Sequence, residues 1–215
     1  MTSESKSIPQ PMQGRFDPLL ASIGMVVFAL FAHQRSLLVA ASAGGLLVVA
    51  ATIGRSLREE RAAALFGLRR VSIATLALAL ILGGAVGLRH RQTLGMSPWL
   101  STVEAFAIVA CLVGGAEELL YRGWLLQKVR DLGWPSAVLV AAVAHAAYKT
   151  ALFALPPGSQ GIDHTGMMLW TVAGGIALGI LRVRSGSVVP CLFAHAAFDF
   201  VVYGALAAAP WWVWS

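Results

Sequence analysis

Gly114-Gly115-Ala116-Glu117-Glu118-Leu119-Leu120-Tyr121-Arg122 sets two adjacent carboxylates and a guanidinium inside an apolar run over about residues 99–121. Crossing the ~30 Å hydrocarbon core of a bilayer takes about 20 consecutive apolar residues in a helix, and this run is that long. An ionisable group at such depth is expensive and marks a functional site by default. Two further apolar runs carry the same mark. His145 closes Val140-Ala141-Ala142-Val143-Ala144-His145, and His195 and Asp199 lie in Cys191-Leu192-Phe193-Ala194-His195-Ala196-Ala197-Phe198-Asp199. The pattern points to chemistry performed inside a membrane.

The whole chain agrees with that reading. It is 58% hydrophobic and 12% charged, with mean hydropathy +0.74, whereas soluble domains carry about 25% charged residues. Apolar segments recur at about 17–33, 36–54, 71–88, 99–121, 135–154, 165–181 and 188–208. They are continuous, unlike the short alternating strands of a transmembrane barrel. The expected fold is all-α: a polytopic membrane protein of about seven transmembrane helices around an intramembrane polar cavity. Residues 16–215 form one transmembrane domain, with a catalytic core at about 99–208. Residues 1–15, polar and containing Pro9 and Pro11, are expected to be a disordered cytoplasmic tail. The first segment lacks a small-x-small cleavage pattern and the second follows after a short link, so the two read as a retained hairpin rather than a signal peptide.

Net charge +6 and pI near 10 raise the question of nucleic acid, but in a polytopic protein basic residues sit in loops and set orientation. With the amino terminus inside, twelve of the sixteen basic residues fall on inside segments: Lys6, Arg15, Arg55, Arg58, Arg61, Arg69, Arg70, Arg122, Lys128, Arg130, Arg182 and Arg184. Arg35, Arg89, Arg91 and Lys149 remain for the outer side. The expected location is the inner (plasma) membrane, multi-pass, with a cytoplasmic amino terminus. Residues 55–70 mix charged and apolar positions and read as an amphipathic helix along the inner surface. Trp211-Trp212-Val213-Trp214 has the composition of an interfacial aromatic belt. Gly83/Gly87 and Gly175/Gly179 have the spacing that lets helices approach closely. Cys111 and Cys191 lack metal-type spacing and read as small buried hydrophobes.

Within the fourth segment, Glu118 and Arg122 are four apart with the acid first, the favourable order for a helical ion pair. Glu117 is turned about 100° away and has no base on its own helix, so it needs a partner from another. His145 and His195 enter on other helices at similar depth by the 1.5 Å rise per residue, and Asp199 follows His195 by four on the same face. A carboxylate positioned to take a proton from water and later return it suits general base catalysis. Glu104, near the outer end of its segment, reads as structural. His33, His90 and His164 fall at outer helix ends, where water satisfies them.

These residues resemble the motifs of the CAAX protease and bacteriocin-processing family of intramembrane proteases, also called the Abi family. The family pattern is Glu-Glu-x-x-x-Arg, Phe-x-x-x-His and His-x-x-x-Asn or Asp on separate helices. Residues 117–122 fit the first element in full. His145 fits the second, with Ala141 in place of the phenylalanine, and His195 with Asp199 fits the third in its Asp form. The resemblance covers about residues 100–205. It implies hydrolysis of a peptide bond near the end of a protein or of a membrane-anchored peptide. In that scheme Glu117 and His145 activate a water, His195 with Asp199 stabilises the oxyanion, and Glu118 and Arg122 brace the site. The partners implied are a protein or peptide substrate and the lipid bilayer, and no nucleic acid. No cofactor is favoured. The alternative is a zinc ion held by Glu117, His145 and His195, a two-histidine, one-carboxylate set with an open position.

Two other readings stand beside the protease. A non-catalytic immunity or scaffold protein would bind a peptide in the same cavity. A proton-coupled transporter would also bury acids and histidines, but repeated halves or broken helices are not evident in the chain.

Overall fold

Among the described residues, helical stretches fall on each of the seven apolar runs. The structure, a computed structural model, describes residues 16–32, 38–154 and 163–206. The expected tail 1–15, His33, Arg35 and the Trp211–Trp214 belt lie outside these. Helix α1 covers Asp17–Phe31, α2 Leu38–Glu59, α3 Ala62–Leu65 and α4 Ile73–Thr93. Helix α5, Phe106–Glu118, runs on without a break through a π-helical stretch at Leu119–Leu125 into α6, Leu126–Lys128. After a 3-10 turn at Arg130–Leu132 come α7 (Trp134–Ala154), α8 (His164–Ser185) and α9 (Val189–Tyr203). The described residues contain no strand.

Among the described residues four helices are long and apolar enough to cross a membrane: Ala40–Glu59 within α2, and all of α4, α7 and α8. The apolar helices α1 and α9 are shorter. Bulky apolar side chains such as Leu19, Ile81, Leu82, Ile108, Leu112, Leu169 and Trp170 stand exposed on the outside of the bundle. In water such a surface would be an aggregation or binding patch; on a bundle of apolar helices it is the surface that meets lipid. The chain is an all-α, multi-pass membrane protein.

Small residues fix the helix pairs, because helices in lipid gain from close van der Waals approach rather than from exclusion of water. Gly83 and Gly87 of α4 lie against the backbone of α9 at Ala194 and Phe198, with no room for a side chain at Gly83. Gly175 and Gly179 of α8 face Ala142 and Val138 of α7. Gly24 and Gly45 seat α1 on α2. Helix α7 is the most deeply packed of the four long spans, and its buried face, together with Tyr121, Trp124 and Leu125, forms the core. The indole of Trp124 donates to Ser56 Oγ at 3.1 Å, tying α2 to the π-helical stretch.

Polar ties at the helix ends sort the bundle into two faces. At one, Arg55 pairs with Asp17 at 3.1 Å, Lys128 with Glu60 at 2.8 Å, and Ser187 Oγ donates to the Arg69 carbonyl at 2.8 Å. At the other, the Glu104 amide donates to the Gly204 carbonyl at 2.8 Å. There Arg91 also donates to the carbonyls of Ser97, Val201 and Val202. Arg91 is therefore not a free loop charge, as its sequence position suggested. It is buried, and its guanidinium satisfies carbonyls that the end of α9 leaves without partners.

Two other expectations are corrected. Residues 55–70 do not form one surface helix. Residues 55–59 prolong α2, a short turn at Ala62–Leu65 buries Leu65 completely, and Gly67 at φ +66° turns the chain back. The Arg182 guanidinium sits against Gly67, leaving no space for a Cβ, and the Gly67 carbonyl accepts from the Val188 amide at 3.0 Å. The helix on the fourth apolar run starts at Phe106 rather than 99 and reaches Lys128. Glu117 therefore lies midway along it, eleven residues from either end.

Candidate active site

The site begins where α5 changes its winding. Glu117 and Glu118 end the regular helix, and the next seven residues, Leu119–Leu125, take the wider π form. Such segments are rare and often occur at functional sites. Tyr121, Arg122, Gly123, Trp124 and Leu125 are all buried, so the broadened turn presents side chains to several neighbours at once. Gly123 lets it close on Phe66.

Arg122 and Glu118 form a fully buried ion pair at 2.9 Å. Arg122 Nη1 also lies 2.9 Å from His145 Nδ1 on α7. A guanidinium only donates, so Nδ1 must accept and the proton of a neutral His145 sits on Nε2. That nitrogen is 3.2 Å from Glu117 Oε2, to which it donates. Tyr121 stacks on the same imidazole, with ring centroids 4.6 Å apart. His145 is thereby fixed in position and tautomer.

Glu117 needed partners from another helix, and α7 supplies two. Besides His145, Lys149 one turn further along places Nζ 2.6 Å from Glu117 Oε1. The distribution of basic residues leaves Lys149 for the outer side, but its ammonium turns into the bundle to pair with Glu117. The signal that finds it is its spacing: it follows His145 by four and so shares its face.

Helix α9 brings the second histidine. His195 Nδ1 donates to Glu118 Oε1 at 2.9 Å, and its Nε2 stands 3.9 Å from Glu117 Oε2 and 3.7 Å from Asp199 Oδ2. The short bond that aims the ring comes from Glu118, and Asp199 lies beyond hydrogen-bond length. Glu118 thus holds Arg122 and His195 through one oxygen, while its Oε2 is buried without a partner. Gly114, one turn before Glu118, makes the approach of α9 possible. A Cβ there would run into Asp199 Oδ2 and lie 3.0 Å from His195 Cδ2.

All six residues singled out from sequence, Glu117, Glu118, Arg122, His145, His195 and Asp199, meet in this one cluster. Cys111 and Cys191 stay outside it as free thiols, each directed at a backbone carbonyl, of Ala196 and Leu178 respectively. His90 and His164 are also elsewhere, His90 beside the Phe198 ring and His164 on the Phe153 carbonyl. Among the described residues no group of three or more His, Cys, Asp or Glu side chains is disposed to hold a metal ion. A cavity of about 210 Å³ with an apolar lining opens between α1 and α7, bounded by Ile23, Val26, Val27, Ala144 and Ala147.

A buried carboxylate flanked by two imidazoles and an ammonium can activate water, and the second imidazole can meet the charge that develops on a carbonyl oxygen. No curated protein and no solved structure matches the chain. Residues 98–201 match the family described as type II CAAX prenyl endopeptidase Rce1-like. That segment carries all three motifs on α5, α7 and α9, and through it the chain is similar to the Rce1-like proteases of the CAAX protease and bacteriocin-processing family.

Proposed function

We propose that the chain is an intramembrane endopeptidase that cleaves a peptide bond near the end of a protein or of a membrane-anchored peptide, with Glu117 as the general base. The observation that carries this is the 3.9 Å gap between Glu117 Oε2 and His195 Nε2. It is too long for a direct bond and suited to one bridging water. In the reaction Glu117 takes a proton from that water, and the hydroxide adds to the scissile carbonyl. His195, donating Nδ1–H to Glu118, turns Nε2–H to the resulting oxyanion. The proton held by Glu117 passes to the leaving amine as the C–N bond breaks. His145 orients the base by donating Nε2–H to it and does not itself take the proton. Asp199 lies beside the oxyanion position and balances the charge on His195.

We also propose that no metal takes part. Zinc bound by Glu117, His145 and His195 would need the Nε2 lone pair of His145, and the donation from Arg122 to Nδ1 puts a proton there. The charge distribution supports a cytoplasmic amino terminus, with Asp17, the end of α2 and Lys128 on the cytoplasmic face. Purified protein in liposomes, given a fluorescent peptide ending in an S-prenylated Cys-aliphatic-aliphatic-x sequence, tests the activity. Cleavage by the native chain and none by Glu117→Gln is expected. A scaffold or transporter would leave the peptide intact in both.

A further inference from the structure

The proposed base is restrained on both oxygens, by an ion pair on one and a hydrogen bond on the other. Lys149 Nζ lies 2.6 Å from Oε1 as an ion pair without hydrogen-bond alignment, and His145 Nε2 donates to Oε2 at 3.2 Å. A carboxylate so held is a poor acceptor for a proton from water until one partner withdraws. His145 is not free to leave, because Arg122 and the Tyr121 ring fix it. Lys149 is the movable partner. Its side chain is 24% exposed, against 5% for Glu117, 8% for Asp199 and 13% for His195, and its four-carbon stem leaves the ammonium with three donors and no fixed direction.

We propose that Lys149 is the docking group for the terminal carboxylate of the substrate, and that docking draws it away from Glu117. This rests on the protease reading and assigns it a specificity-determining residue. A carboxylate fits better than a more highly charged anion, because the site offers one reachable cation. Arg122, the other strong cation in the cluster, is buried and spent on Glu118 and His145. The exchange keeps the charge balanced, since the ammonium trades one carboxylate for another. Glu117 sheds the ammonium that lowers its basicity only when a substrate with the right end is present. Lys149 is thus a specificity-determining residue, one helical turn from His145.

The test uses one fluorescent S-farnesylated peptide ending in Cys-Val-Ile-Met, made as the free acid and as the carboxamide. Binding by anisotropy and cleavage are both measured with the native chain, Lys149→Met and Lys149→Arg in detergent. The free acid is expected to bind the native protein about tenfold more tightly or better, Lys149→Met to lose that preference, and Lys149→Arg to keep most of it. Equal binding of acid and amide by the native chain, or a preference that survives in Lys149→Met, overturns the inference. Preferential binding of the acid without cleavage overturns the protease reading and leaves Lys149 as an anion-docking group. The comparison within the native chain decides the matter even where Lys149→Met folds poorly.

Discussion

Arg122 Nη1 lies 2.9 Å from His145 Nδ1, and through that contact a residue of the π-helical stretch decides the protonation of a residue on α7. Because the guanidinium has no lone pair to offer, His145 presents N–H, not a lone pair, to Glu117. The motif arginine is therefore more than a counterion for Glu118: it sets the tautomer of the group that aims the base.

Glu117→Gln removes the base with little change in shape. Turnover per folded molecule should fall by at least about 100-fold, the scale of general base catalysis, while the melting temperature stays close to native. Near-normal turnover in this variant would remove Glu117 from the proposed role.

Glu118→Ala and Arg122→Ala each strand a charge in the core. Breaking a buried pair by removing one partner costs roughly 3–5 kcal/mol, so the yield of folded protein and its thermal stability should drop in both. Glu118→Ala also releases His195, so the surviving folded fraction should turn over more slowly. Native-like stability in both variants would contradict the buried pair.

Gly114→Ala should cripple the site while Gly115→Ala does not. The methyl at 114 displaces His195 and Asp199, and a shift on the order of 1 Å can cost about 100-fold in rate. Around Gly115 there is open space, and replacing a mid-helix glycine there should raise stability by roughly 0.5–1 kcal/mol. Turnover and melting temperature of the pair decide it, and equal activities would refute the close α5–α9 approach.

Treatment with a chelator such as EDTA, followed by metal analysis of the purified protein, should leave turnover unchanged. A stoichiometric metal whose removal abolishes cleavage and whose return restores it would refute the metal-free mechanism. It would also require Arg122 to release His145.

Reporter fusions after residues 62, 127 and 185 should read cytoplasmic and one after 94 should read outside. An outside signal at 127 would invert the bundle, since Lys128 shares a face with Glu60.

The sequence by itself determined the class of fold and picked out six residues of the cluster. Continuous apolar runs leave a membrane chain no option but helices that satisfy their own backbone, and Glu117, Glu118, Arg122, His145, His195 and Asp199 stand out because lipid makes every buried charge conspicuous. What only the tertiary structure decided is who holds whom. The π-helical winding at Leu119–Leu125, the pairing of Lys149 with Glu117 and the bond from Glu118 to His195 depend on where three helices cross. Arg91 looked like a loop charge and Lys149 like an outer one because sequence counts basic residues by segment. A long cationic side chain can instead fold back to a carbonyl or carboxylate on another helix, and that choice is made by distances of a few ångströms that no one-dimensional pattern encodes.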